Sequence, residues 1–150
     1  MCEARIGSGL PVDTPSGGHD DRRMQETATT LGAEFARALA NKDYSRVSEL
    51  LHPEIDFRAL TPNRIWEASD ADAVISGVLR QWFEDSDEIE GLEHLESDAF
   101  ADRERVGYRF SVRNPDGHFL VEQQAYLSAR DGRIGWMRAV CSGFRPTGDG

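Results

Sequence analysis

The sequence predicts an α+β fold, with three N-terminal helices packed on one face of a curved, mostly antiparallel sheet. Three observations carry that expectation. Apolar residues recur at helical spacing through the first half of the chain, switch to strict alternation in the second half, and are there punctuated by compact turn signals. Helices that come first and strands that come later segregate the helices to one side of the sheet.

The elements follow in order. Met24, Ala28, Leu31, Phe35, Ala38 and Leu39 form one stripe, so residues 21–40 read as an amphipathic helix, capped by Asp20 or Asp21 and stopped at Asn41. A shorter helix spans 44–51, with Val47, Leu50 and Leu51 facing inward; Pro53 blocks its continuation. Ile55, Phe57 and Ala59 alternate with Asp56 and Arg58, the mark of a short strand. The third helix starts after Ser69, which with Asp72 is close to a capping box, and carries the broad stripe Val74, Ile75, Val78, Leu79, Trp82 and Phe83. Residues 89–97 are a weaker strand candidate. Val106, Tyr108, Phe110 and Val112 alternate cleanly and define the next strand. Asn114-Pro115-Asp116-Gly117 turns the chain, because Pro fixes φ and Gly supplies positive φ. Strands at 118–128 and 133–142 follow, joined by Arg130-Asp131-Gly132.

Length and composition bound the function. A chain of 150 residues is one ordinary domain, and its 39% hydrophobic content suffices for one core. Residues 1–20 hold Gly7, Gly9, Pro11, Pro15, Gly17 and Gly18 with no sustained period, and read as a disordered tail. A start placed too early, with Met24 the true beginning, reads equally from the sequence. The domain then covers 21–146, and 147–150 read as a frayed end. The balance of 17 Lys+Arg against 27 Asp+Glu gives −10, which argues against nucleic acid and anionic membrane as partners. No run of 18 apolar residues is present, and residues 1–23 lack the apolar core of a secretion signal. Cys2 and Cys141 make neither a disulfide framework nor a zinc set. A reducing cytoplasm is the expected address.

Two stretches carry a family resemblance. They are Phe35-Ala36-Arg37-Ala38-Leu39-Ala40-Asn41-Lys42-Asp43 and Leu50-Leu51-His52-Pro53-Glu54-Ile55-Asp56-Phe57, and Asp131-Gly132-Arg133-Ile134 leads into the last strand in the same manner. Over roughly residues 24–146 the chain resembles the NTF2-like superfamily, the cone-shaped fold that includes ketosteroid isomerase and the SnoaL-type polyketide cyclases. The resemblance implies a pocket under the helices, but fold analogy alone licenses no activity. Where ketosteroid isomerase carries an oxyanion-hole Tyr, this chain has Phe35; its general-base Asp falls at or near Ala59, and its protonated Asp aligns with Gln124. The acid/base Asp of the SnoaL-type cyclases falls at Ala139. The Arg between two Asp of limonene epoxide hydrolase has no evident counterpart.

By the same alignment the pocket-lining face includes Tyr108, Phe110, Val112, Glu122, Gln124, Met137, Ala139 and Cys141, joined by Phe35, Phe57 and Trp66. The middle strand is apolar on both sides: Val121, Ala125 and Leu127 on one, Leu120 and Tyr126 on the other. A sheet buried on both faces explains this, with Trp136 and Val140 on an outer face that forms a homodimer. Glu122 turned into an apolar pocket has a raised pKa and serves as acid or base; paired with Arg109, Arg113 or Arg138 it is a structural carboxylate. Gln124 either holds a ligand carbonyl or bonds a neighbouring strand. His52 at a helix end, Asp56 and Arg58 on one strand face, and the acidic run over 84–96 read as surface features. Cys141 reads as buried packing rather than a nucleophile. No H-x-H or H-E-x-x-H pattern occurs, so neither a metal nor a cofactor is expected. Two functions remain: a domain that binds a small, largely apolar molecule, or a proton-transfer enzyme (isomerase, cyclase or dehydratase) with Glu122 as acid/base and Gln124 or Tyr108 as oxyanion donor.

Overall fold

The structure is a computed structural model and describes residues 30–147. The expected tail over 1–20, the first part of the first helix, and residues 148–150 lie outside the described residues.

Helix α1 (Leu31–Ala40) buries Phe35, Ala36, Ala38 and Leu39, the stripe expected from spacing. Its free N–H groups are met from two sides. The Thr30 hydroxyl accepts from Ala33 N at 3.1 Å, and Glu104, from the sheet, accepts from Gly32 N at 3.0 Å. Asn41 ends the helix, and Lys42 takes a left-handed φ of 50°. Helix α2 (Tyr44–Leu50) is capped by Asp43, which accepts from Arg46 N. It stops one residue short of the expected end, because Leu51 is already extended and opens β1 (Leu51–Thr61). Pro53 lies inside that strand; its ring disfavours helical backbone just before it.

A hairpin absent from the sequence reading comes next. Strand β2 (Arg64–Ala68) folds back on β1 with Thr61 opposite Arg64, so Pro62 and Asn63 alone make the turn. The third helical region begins at Asp70, whose carboxylate accepts from Ala73 N at 2.7 Å. Ser69 is therefore not the cap: the carboxylate one residue on makes the charge-assisted bond that a helix start favours. This region is α3 (Ala71–Val74), a π-helical stretch (Ile75–Leu79) and α4 (Arg80–Trp82). The wider turn spreads Val74, Ile75, Val78 and Leu79 into the core.

The sheet adds β3 (Glu88–Phe100), β4 (Arg103–Asn114), β5 (Gly117–Arg130), β6 (Arg133–Cys141) and the short β7 (Arg145–Pro146). Its order is β2-β1-β6-β5-β4-β3, with β7 beside the start of β5. Among the described residues, β1 and β6 run parallel and every other pair is antiparallel. The turns fall where expected, with Gly117 at φ 131°, Asp131 at 55° and Gly132 at 79°. Irregularities of register in β3, in β5 and early in β1 bend the long strands, so the sheet curls about the helices.

Residue parity on the sheet decides the site. Inward lie Tyr108, Phe110 and Val112 of β4, Val121, Gln123, Ala125 and Leu127 of β5, and Met137 and Ala139 of β6, all buried. Tyr108 stands opposite Gln123, and Gly107 opposite Gln124. Glu122 and Gln124 therefore sit on the outer face, one residue out of phase with the expected placement.

Candidate functional site

A cavity of about 480 Å³ opens at the end of the cone where β1 and β6 finish. Its walls come from four places: Thr61 and Trp66 of the β1–β2 hairpin, Trp82 and Phe83 at the end of the third helical region, Gln123 and Cys141 from the sheet, and Phe144 from the segment leading into β7. The two indoles meet edge-on with centroids 6.1 Å apart. Phe83 and Phe144 pack at 5.9 Å, and Arg64 lies over the Trp66 ring at 3.7 Å. Gly143, at φ 78°, makes the bend that sends Phe144 back over the opening.

Polar side chains at the cavity include Thr61, Asn63, Gln81, Gln123, Ser142 and Arg145. The Tyr108 hydroxyl donates to Gln123 Oε1 at 2.6 Å, and both side chains are 1% exposed. Burial pushes the Tyr108 phenol far up, reinforced by the nearby Cys141, so it remains a neutral donor at physiological pH. Trp66 Nε1 donates to Thr61 Oγ1 at 2.9 Å. By contrast, Trp82 Nε1 and Gln123 Nε2 are buried with no hydrogen-bond partner among the described residues. Cys141 is a free thiol whose sulfur accepts from Gly143 N at 3.4 Å. Among the described residues, no aspartate, glutamate or histidine lines the cavity.

Of the residues expected to line a pocket, Trp66 and Cys141 do so, and Tyr108 acts on it through Gln123. Phe35, Phe57, Phe110, Val112, Met137 and Ala139 belong to the packed core instead. Aromatic packing fills that part of the cone, with Phe35 6.4 Å from Tyr108 and Tyr108 5.1 Å from Phe110. Glu122 is 42% exposed outside the cone and pairs with Arg109 at 3.4 Å, so it has no access to the interior. Gln124 is outside with it. Both line a second hollow of about 630 Å³ on the outer face, with Arg58, Leu60, Ile65, Tyr126, Arg138 and Val140.

Sequence reasoning missed Gln123, Trp82, Phe83, Thr61 and Phe144. The signal for Gln123 was available. Counting six residues back from Asn114 and six on from Gly117, the pair that closes the turn, sets Tyr108 opposite Gln123. The remaining polar features are local. His52 Nε2 meets Asp131 at 3.3 Å at the surface, and Arg138 pairs with Asp56 at 3.2 Å. In the acidic run, Glu88 and Glu90 hold Arg113, whose guanidinium keeps the Glu90 carboxyl below its usual range. Lys42 donates to the carbonyls of Glu84 and Asp87. Among the described residues, no group of three His, Cys, Asp or Glu is placed to hold a metal ion.

The chain has the NTF2-like fold, shared with proteins described as isomerases, cyclases and hydrolases. A proposed isomerase from Rhodopseudomonas palustris is 20% identical, with a TM-score of 0.63 over 77% of this chain and 92% of its own. A proposed polyketide cyclase from Xanthomonas campestris pv. campestris is 16% identical, with a TM-score of 0.59 over 73% and 86%. An NTF2-like protein from Burkholderia thailandensis is 18% identical, with a TM-score of 0.56 over 75% and 88%. No family model matches the sequence, and no curated protein does. At these identities the likeness speaks for the fold alone.

Proposed function

We propose that the protein binds a small, largely apolar molecule in the cavity at the open end of the cone. One observation carries this reading: Trp66, Trp82, Phe83 and Phe144 wall the cavity, and among the described residues no acid or imidazole lines it. Proton-transfer chemistry draws most often on a carboxylate or imidazole within reach of the substrate, and the Cys141 thiol, whose sulfur accepts from Gly143 N, has neither beside it in this lining. Glu122, the base expected from sequence, is paired with Arg109 on the far side of the sheet, so binding is favoured over an isomerase, cyclase or dehydratase. The naming of structural neighbours as an isomerase and a cyclase supports a cone that houses small organic molecules.

The test is titration with N-phenyl-1-naphthylamine, a neutral apolar fluorophore. Saturable binding at one site per chain is expected, with quenching of Trp66 and Trp82, and Cys141→Phe should abolish it by filling the space. Absence of saturable binding, or equal binding by wild type and Cys141→Phe, refutes the reading.

We also propose that a second copy of the chain covers the outer sheet face. Leu60, Ile65, Tyr126 and Val140 are exposed there, beside Arg58, Arg138 and Glu122. Apolar groups ringed by both signs of charge suit a two-fold contact, in which each patch meets its own copy.

A further inference from the structure

We propose that Lys42 is a positioning residue for the cavity: its ammonium holds the turn over residues 84–87, and through that turn it sets the Phe83 wall. The inference rests on the binding reading above and names the side chain that keeps the site preformed.

Of the 17 cationic side chains in the sequence, every one but Lys42 is arginine. Its place in the backbone is a strained one. Lys42 follows the Asn41 cap of α1 at φ 50°, where a side chain crowds the backbone and glycine is the usual choice. What the side chain reaches offsets that strain. Lys42 Nζ donates to the carbonyl oxygens of Glu84 and Asp87, at 2.6 and 2.5 Å. The pairing suits an ammonium, a compact charge whose donors can point at two converging oxygens; a guanidinium offers a flat fork instead.

The turn that Lys42 grips leads directly out of the cavity wall. Phe83 N still donates to Leu79 O at 3.0 Å, and the chain then leaves the helical path at Phe83, with φ −123° and ψ 91°. Asp87 N closes the turn on Glu84 O at 2.9 Å. The Asp87 carboxylate accepts from Glu84 N and from Asn114 Nδ2, each at 2.9 Å. Glu84, Asp85 and Ser86 are exposed, so polar ties rather than apolar burial fix this turn. Asn114 moors it to the end of β4, and Lys42 moors it to the corner between α1 and α2. Phe83 is held between those moorings and the helical region, with its ring 5.8 Å from Phe110 and 5.9 Å from Phe144. Without the ammonium the turn loses its link to the helices, and the wall that Phe83 and Phe144 make together loosens.

The experiment compares wild type with Lys42→Met, which keeps the stem and removes the ammonium, and with Asp43→Ala. The second variant removes the cap of α2 at the neighbouring residue and leaves the tie in place. Lysine labelled at its side-chain nitrogen gives a single NMR signal in the full chain. Slow hydrogen exchange of that ammonium at neutral pH is expected, and exchange as fast as in free lysine overturns the tie. With labelled phenylalanine, and assignment through Phe83→Leu and Phe144→Leu, both ring signals should move in Lys42→Met and stay in Asp43→Ala. Rings that move equally in both variants, or in neither, overturn the positioning role. The naphthylamine probe should bind Lys42→Met about fivefold more weakly than wild type, the cost of ordering a wall as the guest arrives. Asp43→Ala should bind it as wild type does; equal weakening in the two variants reduces Lys42 to a stabilising residue and overturns the inference. Absence of saturable binding by wild type overturns the cavity reading alone, because the ammonium and ring signals test the tie with no guest present. Lys42→Gly relieves the strained backbone and carries the same readings where Lys42→Met fails to fold. A lysine that only made the turn would be improved by glycine, with a gain in Tm of about 4 °C. We expect no gain, and a gain of that size overturns the tie.

Discussion

The bond between Tyr108 and Gln123 can be weighed by a double-mutant cycle. Tyr108→Phe removes only the hydroxyl and leaves the ring in its contacts with Phe35 and Phe110. Gln123 Oε1 then loses its donor while the amide stays buried at 1% exposure. Stranding a buried neutral acceptor costs about 1–3 kcal/mol, and full burial places this case near 2 kcal/mol. For a chain of this size that is a fall in Tm of roughly 6–8 °C. Gln123→Met alone strands the phenol and should cost a similar amount, about 1–3 kcal/mol. The pair Tyr108→Phe/Gln123→Met leaves neither group unpaired. It should be more stable than the sum of the single changes predicts, by about 1–2 kcal/mol. Urea unfolding with an unchanged m-value is the measurement. Strict additivity, or a Tyr108→Phe variant within a few tenths of a kcal/mol of wild type, would show that the amide is not held by the phenol.

Other outcomes follow from Glu104, Gly32 and the outer face. Burial raises the Glu104 carboxyl above the ordinary range, against the lowering effect of its bonds from Thr30 and Gly32. Such an acid holds its proton more tightly folded than unfolded. Its contribution is therefore fully present below the unfolded value, near 4.3, and is lost as pH rises through the raised folded value. The stability of wild type relative to Glu104→Gln should decline across that window and then level off; a difference that is flat or grows with pH contradicts the burial account. Gly32→Ala should destabilise, because the new Cβ would lie 2.6 Å from Glu104 Oε2 and 2.9 Å from Val106 Cβ. Overpacking of about 1–3 kcal/mol exceeds the gain of about 1 kcal/mol in helix propensity; a stabilised variant in urea unfolding would refute this. Sedimentation equilibrium at micromolar concentration should give the mass of two chains for wild type and of one for Val140→Glu. A monomeric wild type removes the self-association proposal.

The elements were legible where local chemistry and tertiary need agree. The stripe ending at Leu39, the alternation from Val106 to Val112, and the turns at Gly117 and Gly132 all reappear in the structure. The hairpin at Pro62–Asn63 was hidden, because Arg64–Ala68 is short, mostly exposed and lacks strict alternation. β7, two residues long, has no pattern to read. The error that mattered was parity on β5. Leu120 and Tyr126 are apolar on the outer face while Val121, Ala125 and Leu127 are apolar on the inner, so hydrophobicity fits either phase. Turn register, not composition, breaks that tie. Trp82 and Phe83 were recognised as apolar helix positions; that they also wall a cavity depends on β6 ending where Phe144 folds back, a relation between distant segments that no local window contains.

The position of Phe144 has a bearing on how the protein is made and handled. Beyond Cys141 the chain bends at Gly143, lays Phe144 against Phe83 and Phe119, and is fastened by β7 and by Thr147 N donating to His118 O at 3.1 Å. That wall of the cavity is thus completed by a segment that follows the last long strand of the sheet, so it forms only after β6 has paired. A purification handle fused directly after Thr147 would load the strand that holds Phe144 in place, and a product clipped before Phe144 would keep its long strands and lose that aromatic wall.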